Sequence, residues 1–524
     1  MIDPIVAQIV GASLVYASEE MGIAVRNAAY SPNIKERLDH SCALFDARGR
    51  LIAQAEHIPV HLGSLPWGLR ATLEEIARVY GAPQAGQMWV VNDPYLSGTH
   101  LNDVTVVRPI FYHGELVGFA ANKAHHADVG GMVPGSISVD APDLFAEGLV
   151  VPPLLLMRDD AIVEQTVELF RANSRTPQAR AGDLRAQIAG NVVGERRLIE
   201  LHERYDSATV ASAIELTLDA SERRMRAALT ALGDGVFDAR DALEDRDGRP
   251  SITIALRLTL GGGEAHFDYA GTHAQLDYPL NAVYGVTLSA VYYALRAVTD
   301  PTVPMNEGCF RPIRVDAPLG SLLNPRRPAP VGGGNVETST RNADVVLAAL
   351  AQAAPGRVPA NSGGTMSNVM LGGTRDDGTP WAFYETNGCG MGARPDADGI
   401  DGIQCHMTNT LNTPIEAIER DFPLRVTRYE FAQRTGGGGR FRGGDGLIRA
   451  MCLTGGRAHA TLLADRHVVA PAGAHGGDPG ACGAHRLTYA EGSTHVLPAK
   501  TTLTWSPGQT IEVQTPGGGG YGRP

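Results

Sequence analysis

Cysteines are sparse and scattered: six in 524 residues, at 42, 309, 389, 405, 452 and 482. No two have the C-x-x-C spacing of a zinc ribbon or redox pair, so all six read as buried free thiols. Cys389, in Asn387-Gly388-Cys389-Gly390, has no base beside it in sequence and is given no nucleophilic role. Positive charge is also short, with 45 Lys and Arg against 57 Asp and Glu and a net charge of −12. Nucleic-acid binding needs clustered cations that displace counterions from phosphates, which argues against DNA or RNA as a partner. No run of about eighteen apolar residues occurs, and Met1-Ile2-Asp3-Pro4 does not begin a basic stretch leading into an apolar core. The expectation is a cytoplasmic protein with no membrane partner. The phosphate-binding pattern G-x-x-x-x-G-K-[ST] is missing as well. The glycine runs 436–439 and 517–520 therefore read as turns and close backbone packing, not phosphate loops.

Hydrophobic residues at 43% and charged residues at 19% describe a chain able to bury a large core in two or three domains. Ile5, Val6, Ile9, Val10, Leu14, Met21, Ile23 and Val25 recur at helical spacing, and 68–80 reads as a second amphipathic helix before Gly81. The pattern then turns to strands at Trp89-Val90-Val91 and Val104-Thr105-Val106-Val107, with a return through Leu116, Val117, Phe119 and Ala120. Residues 183–230 predict a long helix or helical pair, 252–258 a strand, and 282–297 and 340–354 helices. Short strands broken by glycine follow after 425. The fold class expected is α+β and multidomain, divided as a metal-binding region 1–232, a middle region 233–424 with polar loops, and a β-rich region 425–524.

Chemistry concentrates in Asn92-Asp93-Pro94-Tyr95-Leu96-Ser97-Gly98-Thr99-His100-Leu101-Asn102-Asp103 and Lys123-Ala124-His125-His126-Ala127-Asp128, which flank one hairpin. A turn at His113-Gly114 would pair Tyr112 with Glu115, Asp103 with Ala124 and Asn102 with His125. His100, Asp103 and His125 then meet at one end of the ribbon. Two imidazoles and a carboxylate make a three-ligand site for Zn²⁺, Mn²⁺ or Fe²⁺ with positions left for water or substrate. Such a cation lowers the pKa of a coordinated water and polarises an acyl oxygen. His126, on the other face of the strand, and Asp128 are the candidates for proton transfer.

His57 and His61 lie either side of Pro59, a spacing that predicts an extended segment with both imidazoles facing a pocket, or two structural histidines. Three further polar clusters suit recognition of a cyclic amide: Asn335, Glu337 and Arg341 within 334–341, Glu385 within 384–388, and Thr408 within 406–412. Loop and cap hydrogen bonding is the competing reading of each.

Asn33-Ile34-Lys35-Glu36-Arg37-Leu38-Asp39-His40, His57-Ile58-Pro59-Val60-His61-Leu62-Gly63-Ser64, Asn92-Asp93-Pro94-Tyr95, Gly98-Thr99-His100-Leu101-Asn102-Asp103, Gly334-Asn335-Val336-Glu337-Thr338-Ser339 and His406-Met407-Thr408-Asn409-Thr410 stand in this order. Together they resemble the hydantoinase B/oxoprolinase family along essentially the whole chain. The resemblance implies a component that works with a hydantoinase A-like chain of actin-like ATPase fold, which holds ATP and Mg and phosphorylates a small cyclic amide. It implies ring-opening hydrolysis of that phosphorylated amide here, with His100, Asp103 and His125 as metal ligands. A ketone carboxylase component and a noncatalytic scaffold for the ATPase are the alternatives. The length lacks the extra segments of the larger carboxylase chains, which favours a hydrolase. His40, Thr340 and His273-Ala274-Gln275-Leu276-Asp277 depart from the usual wording and bear on substrate identity.

Overall fold

The computed structural model describes residues 3–55 and 57–524, so Met1, Ile2 and Glu56 lie outside the described residues. Its first unit is a seven-stranded sheet under helices. The strands are β1 (His40–Asp46), β2 (Leu51–Gln54), β3 (Met88–Val91), β4 (Asp103–Tyr112), β5 (Glu115–His125), β6 (Leu154–Arg158) and β7 (Ala161–Ile162), in the order β2-β1-β5-β4-β3-β6-β7. The ribbon that carries the histidines is therefore central in the sheet, and both its faces are covered. Helix α1 (Pro4–Ala28), capped by Asp3 and started by Pro4, buries Val10, Leu14, Met21 and Val25. It packs on the sheet, on α3 (Pro177–Tyr205) and on α4 (Ser207–Thr230), while α2 (His61–Tyr80) lies against the opposite face of the sheet. Gly190 and Gly194 of α3 make the α1 contact possible: a Cβ on Gly190 would stand 2.5 Å from Val25, and one on Gly194 2.6 Å from the Met21 sulfur.

The sequence reading is corrected at two places. Asp103 pairs with His125, not with Ala124, because a β-bulge lies between Ile110 and Phe111. The pairing of Tyr112 with Glu115 is as expected, with His113 (φ 49°) and Gly114 (φ 83°) in the left-handed turn. One extra residue beyond the tip moves every later pair by one position and sets the carboxylate directly across from the imidazole. The segment after Pro59 is also helical from His61 onward, with Pro66 inside α2, so His57 and His61 do not share an extended face.

Three further sheets complete the chain. Strands β8 (Gly235–Leu243), β9 (Ile252–Gly261), β10 (Glu264–Asp268) and β11 (Ile313–Asp316) form one; α5 (Tyr284–Val298) packs on α6 (Ser339–Ala353), which covers β8 and β9. The remaining strands are β12 (Asn368–Thr374), β13 (Pro380–Glu385), β14 (Leu424–Ala432), β15 (Gly446–Leu453), β16 (Arg457–Leu463), β17 (Ala484–Thr488), β18 (Thr494–Leu497), β19 (Lys500–Trp505) and β20 (Thr510–Gln514). They make two sheets, β13-β12-β16-β19 and β14-β15-β20-β17-β18. The architecture is α+β with several separate sheets. Position 232 lies between α4 and β8 and position 424 is the first residue of β14, and one hydrophobic cluster runs through residues from Ala43 to Leu463. Among the described residues no helix is long and apolar enough to cross a membrane.

Candidate metal centre

The β4–β5 ribbon ends in three groups that converge. His100 Nε2 lies 3.3 Å from Asp103 Oδ1, His125 Nδ1 lies 3.4 Å from the same oxygen, and the two ring nitrogens are 3.1 Å apart. All three residues are buried. Ligands about 2.1 Å from a divalent cation stand about 3.0–3.4 Å from one another, so the spacing fits one ion. The tautomer fits too. His100 Nδ1 is 3.2 Å from the Gly332 carbonyl, which only accepts, so Nδ1 carries the proton and Nε2 offers its lone pair.

The surrounding charges favour a cation. Burial opposes ionisation of Asp103, but His100, His125 and His61 outweigh it and hold the carboxyl well below its usual range. Burial likewise resists charge on His100, yet Asp103 and the Gly332 carbonyl together raise it. His125 is shifted down, burial prevailing over the pull of Asp103 and Asp39. His61 enters from the first turn of α2, its Nε2 3.4 Å from Asp103 Oδ2 and its Nδ1 2.8 Å from the Ser41 hydroxyl.

A second layer fixes these groups. The ring of Tyr384, on β13, stacks on His125 at 4.5 Å between centroids and 13° between planes. Asn33 donates to the His125 carbonyl at 2.7 Å. Glu147 accepts from Gly332 N at 2.7 Å and so holds the carbonyl that orients His100, and burial pushes its carboxyl up to about 7. Lys123 donates to the Ser97 carbonyl at 2.7 Å and to the Thr99 hydroxyl at 3.1 Å, tying down the segment that leads into His100. Glu147 and Gly332 were not singled out from sequence, and Tyr384, Asn33 and Lys123 stood inside quoted segments without a role. Asp39, whose Oδ2 is 4.0 Å from His125 Nδ1, stood inside a quoted motif without a role.

The other predicted residues lie apart from the three ligands or behind them. His126 is buried against α3, where its Nε2 meets the Gln187 side-chain oxygen at 2.9 Å, and burial keeps it neutral. Asp128 accepts from Arg175 N, Arg175 Nη1 and Gly135 N, an arrangement that secures its own loop. His57 packs on His40 and lies 3.6 Å from Glu19 of α1. Asn335 and Glu337 occupy a π-turn over 334–338, and Arg341 follows in α6, where its Nη1 donates to the Ala242 carbonyl at 2.7 Å. Glu385 pairs with Arg449, and its Oε1 is 4.0 Å from Arg37. Arg37 donates to Thr386 at 2.9 Å and Thr410 at 3.1 Å, and Thr408 is 3.4 Å from Thr410. Glu385 and Thr408 thus belong to the polar network that supports Tyr384 and, through it, His125.

Residues 3–524 match the hydantoinase B/oxoprolinase family. The chain belongs to that family. An uncharacterized protein of Methanocaldococcus jannaschii is 45% identical over all of this chain and 91% of its own length. A putative D-/L-hydantoinase component of a Pseudomonas species is 34% identical, with 100% and 90% of the two chains covered. The chain spans only 40% of the 5-oxoprolinases of Arabidopsis thaliana and Dictyostelium discoideum. Among solved structures, the ATP-dependent caprolactamase of Pseudomonas jessenii superposes with a TM-score of 0.92 at 31% identity, covering 100% of this chain and 92% of that one.

Proposed function

We propose that this chain is the metal-bearing component of an ATP-dependent enzyme that opens cyclic amides, acting on a substrate phosphorylated by a hydantoinase A-like partner. The observation that carries the reading is the convergence of His100, Asp103 and His125 on a fold shared end to end with a caprolactamase. An unactivated amide is a poor electrophile, and phosphorylation of its oxygen supplies a leaving group. A Mn, Zn or Fe ion at the three ligands would lower the pKa of a water and polarise the acyl carbon's oxygen. The chain itself contributes position and proton handling. Gly332 and Glu147 fix the His100 tautomer, while Tyr384 holds the His125 ring and Asn33 its backbone carbonyl. Ser41 donates to His61 Nδ1, which leaves the His61 Nε2 proton directed at Asp103 Oδ2. We assign proton movement beside the ion to this His61 relay, with His126 and Asp128 holding the β5 exit in shape.

The Pseudomonas relative is one component of a multi-chain hydantoinase by its name, which supports a separate ATPase chain. The test is metal analysis of the purified protein beside His100→Ala and Asp103→Ala. Near-stoichiometric Mn, Zn or Fe that is lost in both variants is the expected result. A wild-type chain that takes up none of the three ions overturns the reading.

A further inference from the structure

Two thiols meet beside the polar segment 403–410. Cys389 and Ile403 exchange both backbone hydrogen bonds at 2.9 Å. The chain then turns back, with His406 in the left-handed region at φ 58°. This leaves the Cys405 sulfur 3.6 Å from the Ile403 carbonyl, the same oxygen that accepts from Cys389 N. The Cys389 side chain is the hydrogen-bonding neighbour of that sulfur. The sequence reading took every thiol as buried. Cys389 is, but Cys405 is only half-buried and lines a cavity of about 770 Å³.

The cavity lies between α5, α6 and the loop 391–406, with Leu347, Ile400 and Ile403 in its apolar wall. Its charged lining besides His406 is Arg357, Arg394 and Asp396. Both arginines are exposed, so they stand at the mouth, and neither side chain has a hydrogen bond or ion pair among the described residues. Deeper in, His406 Nε2 is 3.1 Å from Asp344 Oδ1, and this carboxylate outweighs burial in raising the imidazole. Against burial, the Cys389 contact and then the His406 charge pull the Cys405 thiol down to about 7. A thiolate with a second thiol behind it and a cationic mouth before it is suited to exchange with a small disulfide that carries negative charge. We propose that Cys405 is a site of thiol–disulfide exchange with a small anionic peptide disulfide, and that Cys389 resolves the adduct into a Cys389–Cys405 bond. In the first step the Cys405 thiolate attacks one sulfur of the reagent, whose S–S bond breaks and releases a thiolate. In the second the Cys389 thiolate attacks the Cys405 sulfur, and the remaining small thiolate leaves. The two protein thiol protons pass to the two released thiolates, so one disulfide is reduced as another forms. The site goes beyond the hydrolase reading and does not depend on it.

Oxidised glutathione is the probe, added to the reduced full chain and followed by peptide mapping without reductant. Wild type is expected to close the Cys389–Cys405 bond. Cys389→Ser is expected to accumulate glutathione on Cys405, and Cys405→Ser to leave Cys389 unmodified. In the Cys389→Ser background, Arg357→Gln together with Arg394→Gln should slow the adduct about tenfold at low salt and leave the rate with neutral hydroxyethyl disulfide unchanged. A wild-type chain that forms no bond between these two cysteines overturns the site, and this result needs no variant to fold. Glutathione on Cys389 in Cys405→Ser overturns the assigned order of attack. Arginine variants that slow neither reagent, or slow both alike, overturn the anionic recognition.

Discussion

Glu337 is an acid that its surroundings hold protonated. It is fully buried, with Oε1 accepting from Asn368 Nδ2 at 2.8 Å and from Met366 N at 3.2 Å. Burial, and then the nearby Asp465, push its carboxyl up to about 8. A folded pKa above the unfolded value means a stabilising contribution that is whole below about pH 4.5 and is lost as the pH rises through about 8. Glu337→Gln removes the ionisation. Its stability should therefore gain on wild type between pH 5 and pH 8.5, by roughly 1 kcal/mol per pH unit, in unfolding experiments at the two ends. A difference that does not change with pH would contradict this. Glu147 allows a second test at the same scale. Glu147→Ala frees Gly332 and should weaken metal binding about 10–100-fold, whereas Glu147→Gln keeps an acceptor for Gly332 N and should retain most of it, read by competition with a chelating dye. Residues of this kind were not legible in the sequence. The three candidate ligands could be picked out because one hairpin joins them. Gly332 acts through a backbone carbonyl, which leaves no mark on residue type, and Tyr384 reaches His125 from a different sheet.

Elements place the residues of the candidate centre through two devices. One is the bulge at Ile110–Phe111, which puts Asp103 across from His125. Turn chemistry at His113-Gly114 was readable, but the bulge was not, although Pro109 beside it is a residue that central strands avoid outside such irregularities. The other is the start of α2. Its N-cap, Val60, has no side-chain acceptor to offer. Ser289 of α5 takes the role across the interface, its hydroxyl accepting from Gly63 N and Ser64 N at 3.0 Å each and lying 2.6 Å from the Val60 carbonyl. A cap supplied from a distant helix has no local signature, which is why the segment after Pro59 read as extended. Ser289→Ala leaves the buried Gly63 N–H unmet and should cost about 1–3 kcal/mol in thermal or urea unfolding. Because His61 begins this helix, the same variant should also bind its metal more weakly than wild type. Lost stability with metal affinity unchanged would separate α2 from the centre.

At the scale of the whole molecule, the β-rich end is held to the site by glycine. The runs near 390, 437, 443, 477 and 518 interlock through backbone bonds: Gly390 N to Pro516 O at 2.9 Å, Gly518 N to Gly444 O at 2.9 Å, Gly437 N to Gly518 O at 2.8 Å, and Ala393 N to Gly519 O at 2.9 Å. The closing run, 517–520, has no positive φ, so the requirement is closeness and not a left-handed backbone. A Cβ on Gly518 would stand 2.1 Å from the Met391 carbonyl oxygen, and one on Gly520 2.0 Å from that of Gly438. Composition foretold close packing for these runs but not that they pack on each other. The segment 388–393 continues from β13, which carries Tyr384, so the layer is coupled to the ring that stacks on His125. Gly518→Ala should accordingly cost about 3 kcal/mol or more, since backbone and not a movable side chain blocks the new methyl. Gly261→Ala, where a Cβ meets nothing within 4 Å, is the matched control and should be close to neutral. Unfolding of the two variants beside wild type, with metal content read on each, tests the coupling. A folded Gly518→Ala protein as stable as the control would mean the layer yields easily, and the Tyr384 support would then have to come from the Arg37 network alone.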